Sequence, residues 1–448
     1  MTSLQERYLE ELKQFLRIPS ISTDPARTGD VRSCAAWVAE RLRDAGLENV
    51  ELIEGSGHPL VYADLLKAPG KPTVLFYGHY DVQPVEPLDE WKSPPFEPDI
   101  RGENIYARGA ADDKGLTLIL IKAVERLAKE RAGLPVNVRF LIEGEEESGG
   151  EHVAEFVASG DARLQADAAV ICDTEMFAPE MPTLCVGLRG IIYGELHVQG
   201  AETDLHSGVY GGAAPNPIMA VAEILTSLKD RDGRIRIPGF HDRIVAPSEA
   251  EFTAWQTLPF DEAHYLHEEM KASAITGEPE FSLFERLWAR PTLEVHGIRG
   301  GFTGEGAKTV IPARAVAKIS LRLVADQDPQ EASEQMARAV QAACPRGVTA
   351  EWKTVHAAAP SLTKTDSVYI KAAADAMTEV FGNKTVYVRS GGSIPIVGLF
   401  DRHLGIPSVM MGFGLPDDNL HAPNEKLYLP NFFRGIDAVV RYLELLGR

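Results

Sequence analysis

Histidines and carboxylates recur in this sequence directly behind short apolar runs. Thr73–Tyr77 leads into Gly78-His79-Tyr80-Asp81, Val136–Ile142 into Glu143-Gly144-Glu145-Glu146-Glu147, and Ala168–Cys172 into Asp173. The segment RGAADDKG (Arg108 to Gly115) ends where a helix rich in Leu, Ile and Ala begins, and His421 follows the last apolar run, Ser408–Met411. Each element alone has an ordinary explanation. A single histidine is usually a surface or hydrogen-bonded core residue, and an Asp pair before a helix caps it and complements its dipole. A run of Glu is usually a solvated loop. Together they are harder to explain so. Three adjacent carboxylates directly after a buried-type strand repel one another unless cations hold them. Imidazole and carboxylate are ligands for Zn²⁺, and Mn²⁺ or Co²⁺ suits the same mixed set, whereas no thiolate is placed to help. Two ions about 3.5–4 Å apart would share a bridging carboxylate and a water. Asp112, Glu147 and Asp173 would offset three of their four positive charges.

Elements that could position such a site alternate along the first part of the chain. Apolar spacing predicts helices over about 4–17, 32–45 and 113–129. Strands are expected at Val61–Leu66, Thr73–Tyr77, Val136–Ile142 and Ala168–Cys172, an α/β pattern covered on both faces. In open α/β sheets ligands bind outside the carboxyl ends of strands, which is where these residues fall. Near residue 190 the texture changes. GIIYGELHVQG alternates as a half-exposed strand, a helix is expected over about 217–229, and a polar stretch follows over 230–290. Strands at Thr292–His296 and Ala315–Val324 and a helix over 329–343 complete what reads as a smaller inserted α+β domain, 190–357. The α/β texture resumes from about 360, with a helix over 366–381 and strands near Thr385–Val388 and Ser408–Met411. The first domain is thus expected to be discontinuous, 1–189 and 358–448.

Composition narrows the function. Of 448 residues, 65 are acidic and 45 basic, a formal charge of −20, which repels nucleic acid and anionic lipid. Cys34, Cys172, Cys185 and Cys344 show no paired spacing and read as small buried hydrophobes. No basic-then-apolar leader and no membrane-length apolar run stands out, so a cytoplasmic location is the expectation.

Seven motifs now stand in order: GHYDVQP (Gly78–Pro84), RGAADDKG, EGEEESG (Glu143–Gly149), DLHSGVYGG (Asp204–Gly212), KTVIP (Lys308–Pro312), RSGGSIP (Arg389–Pro395) and LHAPNEK (Leu420–Lys426). The set resembles the dinuclear zinc metallopeptidases that include carnosinase-type cytosolic dipeptidases, aminoacylase, acetylornithine deacetylase and succinyl-diaminopimelate desuccinylase. RLWARPTLEV (Arg286–Val295), GAKTVIP and the long second domain are most similar to the dipeptidase branch. The resemblance implies a zinc-peptidase-like catalytic domain with a mixed sheet covered by helices, plus a lid and dimerisation domain. It implies that His79 and Asp173 bind one metal, Glu147 and His421 the other, and that Asp112 bridges them across a cis bond to Asp113. Asp81 would orient the His79 imidazole, and Glu146 would be the general base for a hydroxide bridging the two ions. His206 would stabilise the oxyanion from the partner subunit of a homodimer.

The substrate side points to a free carboxylate. Arg322 lies within the apolar run KISLRLV, and a buried arginine is costly unless paired. A bidentate clamp on a substrate carboxylate would explain it, as would an ion pair with a local acid. The resemblance assigns the clamp to Arg322 with Thr309, His356 and Ser393, although HAAAPSL around His356 lacks the aromatic that follows Pro in many dipeptidases. GGFTGEGAKT (Gly300–Thr309) imitates a phosphate-binding loop, but Ala307 stands where the motif needs Gly before Lys, and nucleotide binding is not expected. The expected activity is hydrolysis of dipeptides or short peptides with a free C-terminal carboxylate. The alternative is an N-acyl amino acid deacylase or a carboxypeptidase with the same two-metal chemistry. A non-catalytic binding protein on this scaffold would have damaged ligands, and none of the expected set is missing.

Overall fold

The computed structural model describes residues 1–130 and 133–448. In chain order its main elements begin with helices α1 (Ser3–Leu16) and α2 (Thr28–Asp44) and strands β1 (Glu48–Ile53), β2 (Leu60–Leu65) and β3 (Thr73–His79). Then come α3 (Lys114–Glu130), β4 (Asn137–Glu143), α4 (Glu151–Ala158), β5 (Ala168–Ile171) and β6 (Thr183–Leu188). The next group is β7 (Gly190–Gln199), α5 (Pro217–Leu228), β8 (Thr292–Gly300), β9 (Arg314–Leu323), α6 (Pro329–Ala343) and β10 (Thr349–Ala358). Last are α7 (Val368–Phe381), β11 (Ser408–Met411) and α8 (Leu429–Leu446). The chain divides into two compact units. The first comprises Met1–Val186, Thr363–Val388 and Leu399–Arg448, the second Gly187–Leu362 and Arg389–Gly398. The sequence placed Arg389–Gly398 in the first domain; it is grouped with the second because Ser393 and Gly391 bond to side chains and backbone there.

In the first unit the strand order is β1-β2-β4-β3-β5-β11-β6. The pairs β4–β3, β3–β5 and β5–β11 are parallel, and the flanking pairs are antiparallel. The four parallel strands are buried almost throughout because helices cover both faces, so they read as continuous apolar runs and not as alternation. Phe76, Phe140, Val170 and Val409 join Ile119 and Leu120 of α3 and Phe432 and Ile436 of α8 in one core. Each such aliphatic or aromatic side chain contributes roughly 1.5–3 kcal/mol on burial.

In the second unit β8, β9, β7 and β10 pair antiparallel in that order. β7 alternates buried and half-buried residues along its whole length. Ile192, Leu196 and Val198 point to a core with Val221 and Ile224 of α5 and Met336 and Val340 of α6. The other face carries polar residues, as one-sided burial requires. The polar stretch of 230–290 is organised by stacked and tilted rings of Phe260, Phe284 and Trp288, with Trp255 edge-on to Trp288. The four cysteines are free thiols. Among the described residues no helix is long and apolar enough to cross a membrane.

Candidate metal centre and anion subsite

Four adjacent parallel strands, β4, β3, β5 and β11, end on the same edge of the sheet, and each is followed by one predicted ligand. His79 closes β3, Glu147 lies four residues past β4, Asp173 two past β5, and His421 ten past β11. Asp112 precedes α3. Gly78 lets α3 start against the end of β3: a Cβ there would sit 2.0 Å from Thr117 Oγ1 and 2.8 Å from Asp113 Oδ2. Asp113 accepts from the His79 backbone N–H at 3.1 Å and from Thr117 Oγ1 at 2.7 Å. The Asp112–Asp113 peptide bond is cis.

The ligand atoms form two groups, His79, Asp112 and Asp173, and Asp112, Glu147 and His421, each with its atoms within 4.8 Å of one another. Asp112 is common to both. Its Oδ1 lies 3.2 Å from His79 Nε2 and its Oδ2 2.9 Å from His421 Nε2. His421 Nε2 is also 3.3 Å from Glu147 Oε2. Asp81 touches both groups from behind. Its Oδ1 stands 3.3 Å from His79 Nδ1, and its Oδ2 accepts from the Glu147 backbone N–H at 3.1 Å.

Charge crowding decides the electrostatics. Burial and the Asp112 carboxylate push Glu147 up to about 8, and the same two causes push Asp173 up to about 6. Burial, then the charges of Asp173, Glu147 and Asp112, raise Glu146 well above the usual carboxylate range against the pull of His79. Burial also opposes ionisation of Asp112, but hydrogen bonds to His421 and His79 hold it low. The Asp112 bond likewise raises His421. This set fits divalent cations on its own evidence. It offers imidazole and carboxylate donors only. Its acids are unfavourable together without positive charge, and the Nε2 atoms of His79 and His421 both face the oxygens of Asp112.

A second constellation lies within the second unit. Arg322 on β9 and His356 on β10 flank β7, paired with Ile191 and Tyr193 respectively. Arg322 Nη1 donates to Ser393 Oγ at 2.9 Å, and Ser393 Oγ donates to the Arg189 carbonyl. Burial lowers the Arg322 guanidinium, and no carboxylate raises it among the described residues. Burial, then Arg322, pull Arg189 down to about 10. His356 is lowered by burial and by Arg322. Two guanidiniums packed this way favour an anion. Thr309 and His206 are not part of this cluster's hydrogen bonds; they are neighbours elsewhere in the unit. His206 pairs with Val310, and the Thr309 carbonyl accepts from the Ser207 N–H at 3.1 Å. His206 Nδ1 accepts from the Gly208 N–H at 2.9 Å, so the neutral ring carries its proton on Nε2, which makes no hydrogen bond among the described residues.

Two residues of these sites were not singled out in the sequence. Gln83 donates to Glu147 Oε2 at 2.7 Å, and its presence inside GHYDVQP was the available signal. Arg189 follows the buried strand β6 and Arg322 lies next to the end of β9, the same pattern of a cation against apolar residues.

The chain matches the peptidase family M20/M25/M40 over residues 75–445 and belongs to it; it is an enzyme of the peptidase class. Among its relatives, the Cys-Gly metallodipeptidase DUG1 of Candida albicans is 30% identical, across 99% of this chain and 96% of that protein. The Beta-Ala-His dipeptidase of Mus musculus is 31% identical, across 96% and 91%. The solved M20 family metallo-carboxypeptidase Sso-CP2 from Sulfolobus solfataricus superposes with a TM-score of 0.87 at 32% identity, covering 100% of both chains. The likeness to the carnosinase-type dipeptidase branch, and the α/β fold with catalytic and lid domains, are therefore established at family level.

Proposed function

We propose that the chain is a two-metal dipeptidase acting on dipeptides or short peptides with a free C-terminal carboxylate. The observation that carries this reading is Asp112, whose two oxygens face two different histidines, the geometry of a carboxylate shared by two ions. His79 and Asp173 would hold one ion, Glu147 and His421 the other, with Zn²⁺ the best match to the donors and Mn²⁺ or Co²⁺ the alternatives. Bound there, the ions would supply Lewis acidity toward the scissile carbonyl and the attacking water. Asp81 keeps the His79 ring and the Glu147 backbone in place. Glu146, beside but outside both groups, takes the proton from the water as it attacks and hands it to the leaving amine. The free Nε2–H of His206 donates to the developing oxyanion. Arg322, Ser393 and His356 hold the substrate carboxylate, and Thr309 adds a contact from the His206 side.

A homodimer with the second unit as lid and dimerisation domain is part of the proposal. Val209, Tyr210 and Met219 are exposed on that unit, and Ile298 and Phe302 are exposed on and just beyond β8, with Ile218 against Gly301 near them. Exposed apolar side chains such as these suit a subunit contact. A cytoplasmic location fits the free thiols.

The test is hydrolysis of free dipeptides, a tripeptide and N-acetyl amino acids by the metal-loaded protein, with and without a chelator. Chelator-sensitive cleavage of free dipeptides is expected. Cleavage of the acylated compounds instead would move the chain to the deacylase reading, and release of C-terminal residues from longer peptides to the carboxypeptidase reading that the likeness to Sso-CP2 favours. Arg322→Ala is expected to raise KM about 10–100-fold for substrates with a free carboxylate, the cost of a charge-assisted bond of roughly 1.5–3 kcal/mol. Equal KM changes on C-terminally amidated substrates would remove Arg322 from the clamp.

A further inference from the structure

Four residues beyond His421, Glu425 is fully buried, and its carboxylate is surrounded by donors from one loop. Oε2 accepts from the Arg108 guanidinium at 2.7 Å and from the Gly109 N–H at 2.9 Å. Oε1 accepts from the backbone N–H groups of Ala111 and Asp112 at 3.0 and 3.1 Å. The Glu425 carbonyl accepts from the Ala107 N–H at 3.1 Å, extending the antiparallel pairing of Lys426–Tyr428 with Asn104–Tyr106. One residue thus bonds to five groups between 107 and 112.

Its neighbours tether the same loop elsewhere. Asn424 accepts from the Lys92 N–H and donates to the Glu90 carbonyl, and Lys426 donates to Asp417 and Asp418. The tethers matter because of what His421 lacks. His79 is on a strand, Asp173 is two residues past one, and the Glu147 N–H is held by Asp81. His421 lies in a loop, its side chain is 56% exposed, and its backbone is left-handed at φ 60°. A carboxylate buried under four donors, one of them charged, is a rigid joint and not a solvated contact.

We infer that Glu425 is a positioning residue of the metal centre: it locks the Asp112 loop to the His421 loop, so that the Glu147–Asp112–His421 group exists before an ion arrives. This rests on the two-metal reading above. The test titrates the metal-free whole protein with Zn²⁺ against a chromophoric chelator, comparing wild type with Glu425→Gln, which keeps the shape but sets an amide NH₂ among the N–H donors. Two uptake steps are expected for wild type. In the variant one step weakens about 10–100-fold, the range for groups that support ligands from outside the coordination sphere, and the other changes far less. Unchanged steps, or equal weakening of both, overturn the inference. A wild type without two steps overturns the two-metal reading itself. Glu425→Gln leaves Arg108 buried without its carboxylate, which destabilises the fold. The same conclusion is therefore also tested without a variant, by hydrogen exchange of the Ala111 and Asp112 amides in metal-free wild type. Protection of both is expected, and free exchange overturns the inference.

Discussion

Asp112→Asn is expected to leave a folded chain that retains no metal and has no measurable peptidase activity. Asp112 is the only residue common to both ligand groups, with one oxygen toward His79 and the other toward His421. Asn keeps the size but offers a single neutral oxygen, so at most one group keeps three donors. Two divalent ions would also face only Glu147 and Asp173 as anionic ligands. Removing a residue that merely supports a ligand costs 10–100-fold in affinity, so losing a shared ligand should cost more than ~100-fold. Thermal unfolding with added Zn²⁺ separates the outcomes. Wild type gains about 2.7 kcal/mol at a metal concentration of 100 Kd, and the variant gains less than about 0.4 kcal/mol at that concentration. Two ions retained per chain by the variant would rule out the bridge.

Glu146→Ala is expected to lower turnover by about 10²–10⁴-fold, roughly 3–5 kcal/mol of barrier, with metal content near that of wild type. Glu146 and Glu147 are adjacent in sequence but differ in surroundings. Glu147 bonds to Gln83 and faces His421, whereas Glu146 belongs to neither ligand group. Half-buried beside Asp173, Glu147 and Asp112, Glu146 holds a proton more readily than an ordinary carboxylate, and cations bound nearby would lower it again toward the ordinary range. A carboxyl tuned between these limits suits proton transfer. Metal analysis with steady-state kinetics checks it: loss of both ions along with activity would make Glu146 a ligand or a structural residue.

The strands beneath the centre were legible because burial on both faces makes them short apolar runs, and the chemistry follows them immediately. Thr73–Tyr77 and Ser408–Met411 are plain in the sequence for that reason. β1 was not: as an edge strand it is exposed or half-buried along Glu48–Ile53 and carries no apolar run. β10 is equally exposed beyond Trp352. Helix α8 carries a readable signal, with Phe432, Ile436, Val439 and Leu443 buried at helical spacing behind Pro430, but it holds none of the chemistry-bearing residues. The supporting residues were invisible for another reason. Glu425 acquires its role from Arg108, 317 positions away, and Arg189 from Gly391, 202 positions away. No local pattern records such a pairing.

The four parallel strands under the centre also act as a ruler. Neighbouring strands are about 4.8 Å apart whatever loops join them. His79 closes one strand and Asp173 lies two residues past the end of its neighbour, so the spacing between two of the proposed ligands follows largely from the sheet's hydrogen-bond ladder. Loops on that edge can lengthen, and the second unit can diverge, without changing this spacing. On the proposed function, the spacing of these ligands is thus fixed by the sheet's backbone and is independent of the side chains that would contact a substrate.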